Sequence, residues 1–209
     1  MVVVSRETEA KFERYLELLA SWQSRMNLVA PSTLSEARTR HIEDSAQLVD
    51  HIPPDQPSDV WLDFGAGAGF PGLVIAIMRD VEMHLVESRA KKCQFLQAVV
   101  DDLELSDRVT IHARRVEDMT TPKADILSAR ACAALPKLFD WGRGLAARHS
   151  LWLFPKGRTA NEEVEAARKT YAFDVDLHSS RTDKEAAIVA ARNVRRLDRE
   201  TTRGRARRR

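Results

Sequence analysis

The chain has 209 residues, 44% of them apolar and 31% charged, enough apolar material for one α/β domain with an extension. No apolar run approaches a membrane span, the opening MVVVSRETEA lacks the features of a secretory leader, and Cys93 and Cys132 make no disulfide framework, so a cytoplasmic protein is expected. The net charge of +2 hides an asymmetry: between Arg192 and Arg209 nine arginines face only Asp198 and Glu200, a local +7 on a body of about −5, which suggests a polyanionic partner or else a solubilising tail.

From 6 to 26 the pattern Phe12, Tyr15, Leu16, Leu19, Trp22, Met26 predicts an amphipathic helix whose apolar face packs on the main domain or on a second helix. After Pro31, residues 34–52 predict a second helical region holding the polar knot Arg40-His41-Ile42-Glu43-Asp44-Ser45, which either binds a ligand or ties two helices together. Pro53, Pro54 and Pro57 mark a boundary, so residues 1–57 are expected to form a helical cap, 58–195 the main domain and 196–209 a basic tail.

The main domain opens on DVWLDFGAGAGFPG, from Asp59 to Gly72: a short strand, four glycines, then the helix LVIAIM with Pro71 near its start. Strand, glycine turn and helix start bring backbone amides close to a ligand. Two cofactors fit. Gly67, Gly69 and Gly72 satisfy the dinucleotide spacing G-x-G-x-x-G, with Glu87 twenty residues past Gly67. Asp63, however, stands just before the glycines, where it repels a diphosphate and attracts an ammonium such as that of S-adenosylmethionine.

Further strands are expected at 83–86, 109–111, 124–128, 151–154, 173–177 and 188–194, with helices at 89–103, capped by Ser88, at 135–146 and at 161–170. This spacing predicts a doubly wound, mostly parallel, seven-stranded Rossmann-like sheet with an N-terminal helical extension and an antiparallel hairpin at one edge. Ligands of such sheets bind at the carboxyl ends of the strands. There Glu87 can accept both hydroxyls of a ribose, which either cofactor offers. The third strand runs into Arg114-Arg115-Val116-Glu117-Asp118, where a methyltransferase reads adenine. The fourth ends at Arg130, which needs a partner: Asp63, a cofactor carboxylate or an RNA phosphate. The fifth ends in Lys156-Gly157-Arg158, a grip for phosphate.

After the fourth strand the chain reads SARACAAL rather than the Asn/Asp-Pro-Pro-aromatic of adenine amino-methylating enzymes, and Cys132 has no evident activating base. Such a site suits an acceptor that is already nucleophilic, such as guanine N7, which requires alignment and no general base. No catalytic residue is assigned. The six histidines show no metal-ligand spacing with the cysteines, and no metal is expected.

The stretches WQSRMNLVA, RHIEDS, DFGAGAGFPG, LVES, RRVEDM, SARACAAL and LFPKGR, spread from about Tyr15 to Val194, together resemble the bacterial glucose-inhibited division protein B family, the small-subunit ribosomal RNA guanine-N7 methyltransferases. The resemblance implies S-adenosylmethionine as methyl donor, a guanine of 16S ribosomal RNA or of the small subunit as acceptor, and cofactor contacts from Gly65, Phe70, Val116, Glu117 and Arg130. To these the physical reading adds Asp63, Gly67, Gly69 and Glu87. Asn27, Arg40, His41 and Asp44 are candidates for the floor of the guanine site, and Arg115, Arg130 and Lys156 for RNA contacts. Ala66, Ala129 and Phe70 depart from the family's usual residues. An NAD-dependent oxidoreductase and a non-enzymatic RNA-binding protein of the same fold are the alternatives; Tyr15 and Tyr171, the only tyrosines, lack the lysine partner that the first would need.

Overall fold

The computed structural model describes residues 4–197; the arginine-rich tail from 198 onward lies outside them. Seven strands, β1 (Val60–Phe64), β2 (Glu82–Val86), β3 (Val109–His112), β4 (Ala124–Ala129), β5 (Ala146–Lys156), β6 (Tyr171–Ser179) and β7 (Ala187–Arg196), form one sheet in the order β3-β2-β1-β4-β5-β7-β6. Pairings from β3 to β5 are parallel, and β7 runs antiparallel to both β5 and β6. The strand order reverses between β1 and β4, which opens a crevice outside their carboxyl ends.

Alternation along the strands divides the core into two faces. Trp61, Met83, Leu85 and Leu153 face one layer, made by α3 (Gly72–Met78), α4 (Ala90–Asp102) and the N-terminal residues. Leu62, Phe64, Val86 and Trp152 face the other, made by α5 (Leu135–Gly142) and α6 (Ala160–Arg168). Each large apolar side chain so buried contributes about 1.5–3 kcal/mol of transfer free energy.

Helix α1 (Arg6–Gln23) begins at Ser5, whose Oγ accepts from Thr8 N at 3.1 Å. Its Phe12, Tyr15 and Leu19 are buried in the same cluster as α3 and α4. The second helical region starts later than its composition suggests. Arg38–Glu43 is a π-helical turn, followed by one α turn, α2 (Asp44–Ala46), and a 3-10 turn, Gln47–His51. The polar knot therefore falls on the wide π turn.

Three boundaries differ from expectation. Helix α5 stops at Gly142, and Gly144 follows it; β5 begins at Ala146, well before the apolar LWLF run. Ser88 caps nothing: the N-cap of α4 is Arg89, whose N–H is held at 2.7 Å by Oε1 of Glu87.

Candidate functional site

The glycine turn is built around its conformation. Gly65, Gly67 and Gly69 have φ of +59°, +60° and +88°, the left-handed region that side chains resist. A Cβ on Gly69 would also lie 2.4 Å from Leu73 Cδ1 and 2.5 Å from the Tyr15 hydroxyl, so α1 presses directly on the turn. At Gly67 a Cβ would meet only ordinary contacts, Gly65 O at 3.5 Å and Lys92 Nζ at 3.6 Å.

Glu87, at the end of β2, lies beside Gly67. Its Oε2 accepts from Gly67 N at 3.0 Å and its Oε1 from Arg89 N, so one carboxylate joins the glycine turn to the start of α4. Asp63 sits below the turn and is fully buried. Its Oδ2 accepts from Gly72 N at 3.1 Å and its Oδ1 from Ser128 Oγ at 2.7 Å, while Ser128 Oγ accepts from Trp61 Nε1 at 2.8 Å. Burial pushes the Asp63 carboxyl up to about 7, opposed by the hydrogen bonds from Ser128 and Gly72.

Above the turn lies a cleft of about 1050 Å³. Of the expected cofactor residues, Gly65, Gly67, Phe70, Glu87 and Arg130 line it; of the expected substrate residues, Arg40, His41, Asp44 and Lys156 do. Asp63 and Gly69 lie beneath it and support the turn. Val116 is buried and Glu117 exposed on the 3-10 turn Val116–Asp118 after β3. Asn27 is exposed in the loop after α1, next to the lining residue Leu28, and Arg115 is exposed beside Val116.

Phe70 is the centre of a stack. Tyr15 lies on it with ring centroids 5.1 Å apart, His41 at 4.9 Å, and the Arg130 guanidinium is 5.0 Å from its centroid. Arg130 finds its partner in neither Asp63 nor solvent. Its Nη1 donates to Arg40 O at 3.0 Å and lies 3.3 Å from Asp44 Oδ2. Asp44 Oδ1 in turn accepts from Thr182 Oγ1 at 2.7 Å, and Arg40 reaches Asp183 at 3.5 Å. The knot thus ties the cap to the β6–β7 loop and also lines the cleft. Burial, followed by the charge of Arg130, lowers His41 to about 4, so it is neutral at pH 7.

Lys156 is spent as well. It lies 2.8 Å from Glu163 and donates to Ala133 O at 2.7 Å, while Glu163 also accepts from Leu135 N at 2.8 Å. This pair fixes the loop between β4 and α5. In that loop burial, reinforced by the charge of Asp63, raises the Cys132 thiol to about 11, the wrong direction for a nucleophile.

Sequence reasoning missed Arg89 and Lys92 on one wall of the cleft and Thr182 and Asp183 on the other. The first two carried a signal: cations at the start of a helix oppose its dipole. The other two carried none, because only the fold brings the β6–β7 loop to the cap. Among the described residues no three metal-ligating side chains come together, and no helix is long and apolar enough to cross a membrane.

A family model described as GidB, rRNA small subunit methyltransferase G, matches residues 8–193. A protein named ribosomal RNA small subunit methyltransferase G from Methylobacterium nodulans is 45% identical over 193 residues, 89% of each chain. One of the same name from Rhizorhabdus wittichii is 41% identical, covering 91% of this chain and 88% of its own. Among solved structures, a SAM dependent methyltransferase from Aquifex aeolicus superposes with a TM-score of 0.58 at 11% identity, covering 78% of this chain and 98% of its own. TYW2 from M. jannaschii, solved with AdoMet, gives 0.56 at 13% identity over 75% of this chain and 76% of its own. These two likenesses establish the fold alone.

Proposed function

The chain belongs to the rRNA small subunit methyltransferase G family, and from that premise we propose that it transfers a methyl group from S-adenosylmethionine to N7 of one guanine in 16S ribosomal RNA, in the cytoplasm. The observation that carries this reading is the single cleft in which the glycine turn and Glu87 face Arg40, His41 and Asp44. Its volume of about 1050 Å³ holds a nucleoside cofactor with a base beside it.

The residues suit the cofactor in detail. The bare Cα of Gly67 admits close approach, and Glu87, anchored by two backbone amides, keeps lone pairs for ribose hydroxyls. Phe70, packed against Tyr15 and His41, fixes the apolar part of the cleft that it lines, and Arg130 supplies a cation for a carboxylate. Gly65 completes the turn, and Val116 and Glu117 flank the adenine end. Asp63 acts from below, holding the turn in shape and contributing charge to an ammonium at a distance.

S-adenosylmethionine supplies a methyl group on a cationic sulfur, open to displacement by a nitrogen lone pair. Guanine N7 carries that lone pair at neutral pH, so the chain's task is alignment and exclusion of water. Asn27, Arg40, His41 and Asp44 form the floor on which the guanine rests, and neutral His41 presents an uncharged ring next to the cationic centre. Residues 1–57 act as a cap on the catalytic unit 58–195.

The test is transfer of labelled methyl from S-adenosylmethionine to small-subunit RNA that lacks the modification, with the product read as 7-methylguanosine after digestion. Transfer without a bell-shaped pH profile tracking any cleft carboxylate or histidine is expected; a profile that follows one such residue overturns the base-free mechanism.

A further inference from the structure

The basic side chains around the cleft are divided between two walls. On the side of β4, β5 and the β6–β7 loop most are committed: Arg130 to Asp44, Lys156 to Glu163, Arg40 to Asp183, and Arg181 to Asp50 at 2.7 Å. On the side of β2 and β3 the pattern reverses. Arg89, Lys91, Lys92, Arg114 and Arg115 have no acidic partner within ion-pair distance among the described residues. All but Lys92 are exposed.

These five side chains leave adjacent strand ends. Val86 is paired with His112, and Glu87 N donates to His112 O at 3.1 Å, so the segments starting at Glu87 and Ala113 diverge from neighbouring points on the sheet. The one acid between them, Glu87, is buried and turned to Gly67 N and Arg89 N. Glu117 and Asp118, which follow, make no ion pair with the five. Arg89, Lys91 and Lys92 also stand at the N-terminus of α4, whose first turn holds no acid. Cations there oppose the helix dipole. Unpaired charges held against a dipole are ready for a polyanion.

We propose that Arg89, Lys91, Lys92, Arg114 and Arg115 form the phosphate-binding rim of the enzyme, and that the substrate RNA enters the cleft across the β2–β3 edge of the sheet. Lys92, with its Nζ over the glycine turn, is the inner end of this rim, and Arg114 and Arg115 are its outer end. The opposite wall grips the base and the cap rather than the backbone. The inference rests on the RNA methyltransferase reading.

The test compares K91A/R114A/R115A with R158A/K184A, a pair of exposed cations on the opposite wall, in the full chain. Binding of small-subunit RNA is measured over a range of salt, and methyl transfer is measured beside it. Each lost phosphate contact flattens the log–log salt slope by about 0.7–0.9, so the triple variant should lose about 2–3 units, with KM for RNA raised roughly tenfold or more and kcat retained at saturation. The pair should leave the slope unchanged. If the triple variant melts early, the single reversal R115E should still flatten the slope by at least about 0.7–0.9. An unchanged slope in the rim variants, or a loss seen only in R158A/K184A, overturns the proposal. Failure of the wild-type chain to transfer methyl to any small-subunit RNA falls instead on the function itself.

Discussion

Tyr15 and Phe70, fifty-five positions apart, stack with their ring centroids 5.1 Å apart, and the Tyr15 hydroxyl donates to the carbonyl of Ala68 within the glycine turn. The N-terminal helix therefore braces the turn that forms the cleft. Y15F keeps the ring and removes the one donor to this buried carbonyl among the described residues. It should lower stability by about 1–3 kcal/mol in urea melts and weaken S-adenosylmethionine binding, measured by calorimetry. Unchanged cofactor affinity would mean the helix stabilises the fold without shaping the site.

Gly67 and Gly69 share a positive φ but not a neighbourhood. G67A should cost only the left-handed backbone penalty, about 1–2 kcal/mol. G69A adds a collision with Leu73 and Tyr15 and should cost about 2–5 kcal/mol. The denaturation midpoints of the two variants order them, and a reversed order would contradict the packing of α1 on the turn.

Two buried groups impose opposite pH dependences. Asp63 is raised from 3.8 to about 7 by burial, so its contribution is full below pH 4 and is lost as pH rises through 7. His41 is lowered from 6.5 to about 4 by burial and by Arg130, so its contribution is full above pH 6.5 and is lost as pH falls through 4. In the wild-type chain the two slopes offset each other between pH 4 and 6.5. D63N should leave stability rising with pH in this window, and H41N should leave it falling. Melting curves across the window read both signs, and two variants with the same slope would refute the assignment.

Buried Lys156 and half-buried Glu163 form a pair that fixes the β4–α5 loop. E163A should cost about 3–5 kcal/mol, because it strands a buried ammonium, whereas K156M/E163L should cost less than the two single changes combined. K156M should leave the salt slope of RNA binding intact. A flattened slope would return Lys156 to the role of phosphate grip.

The sheet was legible because each strand is a short apolar run between turns, and the glycine turn because three closely spaced positive-φ positions favour glycine. The flank of β5 was not: Arg148 and His149 are exposed, so no alternation marks them as strand. Nor was the π turn at Arg38–Glu43, which has no compositional signature. At the cleft, residue types were readable but partners were not. Arg130 meets Asp44 across 86 positions and Lys156 meets Glu163 on the next helix, so which cations are free for RNA emerged only from the folded chain.

The most direct test of the central claim replaces the acceptor atom. The target guanine is located by mapping labelled methyl on small-subunit RNA, and the same RNA is then prepared with 7-deazaguanine at that position. The account predicts one 7-methylguanosine in the natural RNA, and in the substituted RNA unchanged binding with no methyl transfer. Methyl transfer to the substituted RNA, at another atom of that base or at its ribose, would contradict it.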